Sequence, residues 1–160
     1  MKKLKRFIYT GFYSGYFPYA PGTMGTLVAL FIYIGLYFSF GFDVKYINAA
    51  IVVFALIPAI ILGNEAEKHF GKKDPQEVVL DEMIGFWIAL FLHDFNFITV
   101  IIAFVLFRFV DIIKPYPIYR LQDLKGGLGI MIDDYIGGLY VNAILWIIIL
   151  QATFTGIKII

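Results

Sequence analysis

The residues of this 160-residue chain best suited to chemistry are three groups of acidic side chains. Asp81 and Glu82 stand at the start of one apolar stretch, Asp111 stands near the end of a second, and Asp133 and Asp134 precede a third. Carboxylates brought together repel one another unless a cation binds between them. An all-oxygen ligand set favours Mg²⁺ or Mn²⁺ over zinc. The pattern therefore predicts a site for a hard divalent cation.

Two basic side chains accompany Asp111. Arg108, Asp111 and Lys114 are spaced i, i+3 and i+6, so they lie loosely along one face of a helix. A structural ladder of salt bridges is one interpretation, but charges in an otherwise apolar helix mark a functional site by default. Mg²⁺ commonly binds through one or two carboxylates and a substrate phosphate, and Arg or Lys beside it suits a phosphoryl group. We interpret the acids and bases together as a metal-dependent phosphoryl-transfer site.

Two glycine-containing segments adjoin these groups. In residues 20–26 (APGTMGT), backbone amides before a helix can bind an anion; the alternative is a tight turn with Thr23 or Thr26 as the N-cap. Residues 126–138 (GGLGIMIDDYIGG) lack the Gly-Lys-Ser/Thr of a nucleotide-binding loop. Gly137 and Gly138 would allow a second helix to approach closely.

The composition excludes several other chemistries. The absence of cysteine excludes disulfides, thiolate zinc and a cysteine nucleophile. The net charge of +1 gives no electrostatic basis for binding nucleic acid. The two histidines, His69 and His93, are predicted to lie at opposite membrane faces, which disfavours a histidine-based phosphatase.

The positioning elements are predicted to be membrane helices. Hydrophobic residues make up 61% of the chain, charged residues 16%, and the mean hydropathy is +0.82. A soluble domain is about 45–50% apolar and about 25% charged. We therefore expect an all-α, polytopic membrane protein, a small helix bundle forming one domain over residues 1–160.

Four apolar stretches predict the helices at about 26–42, 46–62, 83–92 with 97–114, and 134–154. A span needs roughly 20 apolar residues, or about 17 at the low end. The third stretch is interrupted by the polar residues 93–96, so we expect a helical hairpin there, with one kinked span as the alternative. Residues 1–20 are predicted to be an interfacial segment with a helix from Leu4 to about Gly15.

The charge distribution predicts the orientation. With the N-terminus inside, all basic residues except Lys45 and Lys158, and all acidic residues except Asp43 and Asp94, fall on one side. Loops rich in Lys and Arg stay in the cytoplasm. The polar site is therefore expected at the cytoplasmic face.

Four segments of the chain resemble one known family. PGTMGTL (21–27), VVLDEMIGFWIAL (78–90), FRFVDIIKPYPI (107–118) and GGLGIMIDDYIGG (126–138) are similar, in this order, to phosphatidylglycerophosphatase A of bacteria. The resemblance implies an α-helical, Mg²⁺-dependent enzyme of the bacterial cytoplasmic membrane. Such an enzyme removes the terminal phosphate of phosphatidylglycerophosphate, a phospholipid of the cytoplasmic leaflet.

With this resemblance, a role can be predicted for each site residue. The expected metal ligands are drawn from Asp81, Glu82, Asp133 and Asp134. The expected catalytic groups are Asp111, Asp134 and Glu82. The expected phosphate-binding residues are Arg108, Lys114, Thr23, Gly22 and Gly25. Attack by water and covalent attack by an aspartate both remain open, and a cation- or proton-coupled transporter is the alternative function.

Overall fold

The computed structural model describes residues 2–121 and 123–155, and within those ranges every regular element is a helix. The all-α prediction is therefore confirmed. The α-helices are α1 (Lys2–Tyr9), α2 (Pro21–Phe40), α3 (Val44–Phe70), α4 (Leu80–Ala89), α5 (Phe97–Ile113), α6 (Ile118–Leu121) and α7 (Gly126–Phe154). Short 3₁₀ turns lie at Ser14–Tyr16 and Gly41–Asp43. Lys158, predicted on the far side of the membrane, lies outside the described residues.

The short helix α4 lies at the centre of the bundle. It packs against α2, α3, α5 and α7, and every residue from Met83 to Ala89 is buried. A Cβ atom on Gly138 of α7 would collide with the carbonyl oxygen of Gly85, and one on Gly85 would lie 2.8 Å from the carbonyl oxygen of Asp134. The two glycines thus let α4 and α7 approach closely, as predicted for Gly138, and this contact brings their acidic residues together.

The third apolar stretch consists of two helices and is not one kinked span. Between α4 and α5 the backbone leaves the helix at residues 90–96. Asn96 begins α5 as its N-cap, because its Oδ1 accepts hydrogen bonds from the backbone N–H groups of Ile98 (2.8 Å) and Thr99 (3.2 Å). Asn142 of α7 donates to the carbonyl of Phe91 at 2.9 Å, which satisfies a backbone group that the break exposes.

The helices that carry the polar motifs extend beyond their apolar parts. α2 begins at Pro21, a residue suited to the first helical turn because it needs no N–H partner. α3 continues to Phe70 and ends at Gly71, whose φ is +68°. The predicted bounds near residues 26 and 62 were too narrow, because hydropathy marks where a helix is apolar and not where its hydrogen bonds end.

The N-terminal helix is shorter than predicted. α1 ends at Tyr9 and does not reach Gly15, because Gly11, Phe12 and Tyr13 adopt positive φ values of 54°, 58° and 70°. The chain then turns back toward α4. The N–H of Val79 donates to the carbonyl oxygen of Tyr9 at 3.0 Å, which ties α1 to the residues just before α4.

Two helical stretches are long and apolar enough to cross a membrane: Pro21–Phe70, which contains α2 and α3, and Gly126–Phe154. In their most apolar segments only 22% and 28% of the residues are buried within the protein. A core helix of a soluble protein would be mostly buried. Large apolar side chains such as Phe31, Phe54 and Ile57 instead face outward, which indicates association with a membrane.

Candidate active site

Three carboxylates converge where α4 meets α7. Asp81 and Glu82 lie in the first turn of α4, and one oxygen from each lies within 4.8 Å of the other and of an oxygen of Asp134. Asp81 is 8% exposed and Asp134 is 3% exposed. Oδ1 of Asp81, Oε2 of Glu82 and Oδ1 of Asp134 are buried and have no hydrogen-bond donor among the described residues. Buried carboxylate oxygens without donors are costly, so this group fits a bound cation.

Asp111 is not one of these three converging carboxylates and is held by two bases. Its Oδ2 is 2.9 Å from Nη1 of Arg108, and its Oδ1 is 3.4 Å from Nζ of Lys114. The i, i+3 and i+6 spacing therefore produces the expected stripe along α5 and its C-terminal end. These pairs are largely shielded from solvent, with the Asp111 side chain 11% exposed.

Asp133 and Asp134 point in different directions although they are adjacent. Oδ2 of Asp133 lies 2.5 Å from Nζ of Lys114, whereas Asp134 lies with Asp81 and Glu82. Consecutive helical residues diverge by about 100°, which explains the divergence. The structure thus joins Asp133 to the basic stripe and leaves it outside the group of three converging carboxylates.

Lys114 remains positively charged in this environment. Its partial burial favours the neutral form, but the carboxylates of Asp134, Asp133 and Asp111 outweigh that effect and raise the pKa of Lys114. Lys114 has an αL backbone conformation at the end of α5, with φ at +46°. That turn directs its ammonium group toward two acidic residues from different helices.

The start of α2 packs directly on the site. A Cβ atom on Gly22 would collide with Oε1 of Glu82 and would lie 3.2 Å from Nη2 of Arg108. A Cβ atom on Gly25 would lie 2.6 Å from the side chain of Val79. In the structure both glycines serve close packing; their predicted contact with phosphate remains a prediction.

Thr26 is a site residue that the sequence reasoning did not select. Its Oγ1 accepts a hydrogen bond from Nη1 of Arg108 at 3.3 Å and donates to the carbonyl oxygen of Gly22 at 2.9 Å. Thr26 is completely buried, whereas Thr23 is partly buried. The N-cap residue of α2 is Ala20, so neither threonine has that role. The i, i+4 spacing of Gly22 and Thr26 was the signal in the sequence that could have identified Thr26, because this spacing places both residues on one face of α2.

The acidic residues line one cavity of about 430 Å³. Lys114 also lines it, and Pro21 brings the positive end of α2 to its edge. The loop after α3 contributes an exposed residue, Asp74, that the sequence reasoning did not consider. The lining residues are Pro18, Tyr19, Pro21, Asp74, Pro75, Gln76, Val78, Asp81, Glu82, Asp111, Ile112, Lys114, Asp133 and Asp134.

Arg108 occupies a different place from Lys114. It does not line the cavity; it lies behind Asp111, between that carboxylate and Thr26. Thr23, Gly22 and Gly25 are likewise absent from the lining. Of the residues predicted to bind phosphate, Lys114 is therefore the one with direct access to a molecule in the cavity.

The family model described as phosphatidylglycerophosphatase A matches residues 7–149. The chain belongs to this family. The match contains all four segments on which the resemblance was based, so that assignment is confirmed. Membership of a phosphatase family also makes the chain a phosphatase, and not the transporter considered as the alternative.

Three relatives share this family's sequence over most of their length. A putative phosphatidylinositol-3-phosphatase of Bacteroides thetaiotaomicron is 44% identical, over 82% of this chain and 84% of that protein. Phosphatidylglycerophosphatase A of Escherichia coli is 36% identical, over 86% and 79%. Phosphatidylglycerophosphatase A of Haemophilus influenzae is 34% identical, over 81% and 79%. No solved structure matches the chain.

Proposed function

We propose that the chain is a Mg²⁺-dependent lipid phosphatase that hydrolyses the terminal phosphomonoester of phosphatidylglycerophosphate. The products would be phosphatidylglycerol and inorganic phosphate. The observation that carries the proposal is the group of three carboxylates, each with a buried and unpartnered oxygen, that line the same cavity as the charged Lys114. A phosphate ester is anionic and binds to positive charge. A cation held by the three carboxylates and the ammonium group of Lys114 could supply that charge.

Asp81, Glu82 and Asp134 are the residues that would hold Mg²⁺, since all three offer hard oxygen ligands at one point. When bound, the ion would supply Lewis-acid polarisation of the phosphoryl oxygens and a lower pKa for a bound water. Asp133 would act differently. Its contact with Lys114 would orient the ammonium group and keep it charged.

Lys114, Asp111 and Arg108 would each have a separate role in hydrolysis. Lys114 would donate to the oxygens of the phosphomonoester, because its Nζ is the basic group that lines the cavity. Asp111, also in the lining, would accept the proton of the water that attacks phosphorus. The bond from phosphorus to the glycerol oxygen would break, and that oxygen would take up the proton that Asp111 had accepted, which returns Asp111 to its charged form. Arg108 would position Asp111 from behind. Covalent attack by an aspartate is the competing route.

The proposed setting is the bacterial cytoplasmic membrane, with several crossings and the cavity facing the cytoplasm. Lys114 lines the cavity, and the basic helix α1 is tied to Val79, two residues before Asp81. Lys45 and Asp94, by contrast, pair with each other at 2.5 Å at the end predicted to face outward. In this orientation the acyl chains of the substrate would lie against the apolar helix surfaces and its phosphate would enter the cavity.

The most informative experiment compares two phosphomonoester lipids. The relative from Bacteroides thetaiotaomicron carries the name phosphatidylinositol-3-phosphatase, so phosphatidylinositol 3-phosphate is the competing substrate. Inorganic phosphate release should be measured in detergent micelles with Mg²⁺ for both lipids at equal mole fraction. We expect the higher kcat/KM with phosphatidylglycerophosphate. A preference for phosphatidylinositol 3-phosphate would overturn the substrate assignment, and release from neither lipid by folded protein would overturn the lipid phosphatase assignment.

A further inference from the structure

A second cavity, of about 360 Å³, lies between α1 and α3. Its lining is mainly basic and shares no residue with the carboxylate cavity. The residues that line it are Lys2, Lys5, Tyr9, Glu65, Lys68 and His69. A concave surface with several ammonium groups suits an anion.

The charges of this cavity do not cancel. Nζ of Lys5 lies 2.5 Å from Oε1 of Glu65, so these two charges neutralise each other and join α1 to α3. Lys2 and Lys68 are exposed and form no ion pair with the residues that the structure describes. The cavity therefore keeps a net positive charge, and its most accessible cations come from two different helices.

The position of α1 indicates where that anion comes from. The helix carries exposed apolar side chains, with Leu4 63% and Ile8 37% exposed, beside its lysines. Helices of this kind lie in the membrane interface, with their apolar side at the acyl boundary and their lysines among the headgroups. Lipid phosphates lie at that same depth, and basic residues are attracted to anionic lipids there.

We propose that this second cavity binds the phosphate group of an anionic phospholipid and so fastens α1 to the membrane surface. The proposal goes beyond the lipid phosphatase function, because the bound lipid would not be the molecule that is hydrolysed. It would also support the site indirectly. α1 is connected through the 3.0 Å hydrogen bond between Tyr9 and Val79 to the residues that precede Asp81.

The test measures lipid binding to the full chain by native mass spectrometry in an uncharged detergent, as the fraction of protein with bound lipid at each lipid concentration. The probes are phosphatidylglycerol, phosphatidylcholine and inorganic phosphate. The variant is Lys2→Gln with Lys68→Gln, which removes two charges from the cavity and keeps the Lys5–Glu65 pair intact. The control is Lys3→Gln with Lys73→Gln, which removes the same charge from α1 and from the loop after α3 at exposed positions outside this lining.

We expect the Lys2 and Lys68 variant to bind phosphatidylglycerol at least about tenfold more weakly than the wild type, and the control to change less than about twofold. Phosphatidylcholine should bind more weakly than phosphatidylglycerol, and millimolar inorganic phosphate should not displace the lipid. Equal loss in variant and control would overturn the proposal, as would no loss in either. Displacement by inorganic phosphate would overturn the assignment to a phospholipid. The readout does not use hydrolysis, so its failure is distinct from a failure of the proposed function.

Discussion

At the residue scale, the central feature is the difference between two kinds of acidic side chain. Asp81, Glu82 and Asp134 have buried oxygens without donors, whereas Asp111 and Asp133 are paired with bases. The first kind suits a cation. Of the second kind, Asp133 would orient Lys114 and Asp111 would act as the base. Substitutions that remove one carboxylate without changing its size should separate the two roles.

Asp134→Asn should lower kcat by about 10²–10⁴-fold, as for loss of a catalytic group, because it removes a carboxylate that would hold the cation. The measurement is phosphate release from phosphatidylglycerophosphate across a Mg²⁺ titration, and the concentration of Mg²⁺ needed for half-maximal rate should rise. Asp123→Asn is the control, since Asp123 is exposed in the turn before α7 and outside the cavity. Near-wild-type turnover in folded Asp134→Asn would remove this residue from the site.

Asp111→Asn should also reduce kcat by about 10²–10⁴-fold if this residue takes the proton from water. Its effect should differ from that of Asp134→Asn in one respect. The Mg²⁺ concentration for half-maximal rate should change less, because the oxygens of Asp111 are paired with Arg108 and Lys114 and Asp111 is not one of the three converging carboxylates. A large shift in the Mg²⁺ requirement would instead make Asp111 a metal ligand.

Thr26→Val tests the positioning of Arg108. The change keeps the side-chain volume nearly constant but removes the acceptor that lies 3.3 Å from Nη1 of Arg108. The loss of one hydrogen bond to a charged group, about 1.5–3 kcal/mol, should lower kcat with a smaller effect on KM. Thr153→Val is the control, because Thr153 makes the same i−4 hydrogen bond, to Ile149 at 2.9 Å, without contacting the site. Equal kinetics in the two variants would contradict a positioning role for Thr26.

At the scale of elements, the site depends on how closely α4 approaches α7. Gly138→Ala would place a methyl group against the carbonyl oxygen of Gly85 and should push the helices apart. Overpacking of this kind typically costs about 1–3 kcal/mol, so the thermal unfolding midpoint and kcat should both fall. Gly137→Ala is a neighbouring control, because its Cβ atom would first meet a side chain at 3.5 Å, an ordinary contact. Equal midpoints for the two variants would contradict the close contact.

The sequence predicted the composition of the site better than its geometry. The spacing of Arg108, Asp111 and Lys114 was enough to predict the stripe on α5, because helical periodicity determines which residues share a face. Periodicity along one helix does not say which of two adjacent acids faces a second helix. The separation of Asp133 from Asp134 therefore appears only when α4, α5 and α7 are packed together. The same is true of the contact between Thr26 and Arg108, which joins two helices.

Helix ends were predicted less well for a related reason. Hydropathy detected the apolar parts of α2, α3 and α7, but each helix continues beyond its predicted bound through segments that contain glycine or polar residues. The short α1 depended on left-handed backbone at Gly11, Phe12 and Tyr13. Two of these residues are aromatic and gave no turn signal, since left-handed conformations are typical of Gly, Asn and Asp.

At the scale of the whole molecule, the absence of cysteine allows a clean test of orientation. Single-cysteine variants Lys45→Cys and Lys73→Cys should be treated in intact cells with a membrane-impermeant maleimide. We expect labelling at position 45, which lies at the end predicted to face outward, and protection at position 73, which precedes Asp74 at the cavity. Both should react after the cells are opened. Labelling only at position 73 in intact cells would reverse the proposed orientation.

Carboxylates at the junction of α4 and α7 are proposed to hold a divalent cation for hydrolysis of a lipid phosphomonoester. The most direct test of this proposal is phosphate release from phosphatidylglycerophosphate in detergent micelles, measured with Mg²⁺, after EDTA, and after Mg²⁺ is restored in excess. We expect EDTA to abolish release from the wild-type protein and excess Mg²⁺ to restore it. Undiminished release in EDTA would show that hydrolysis does not depend on a bound divalent cation.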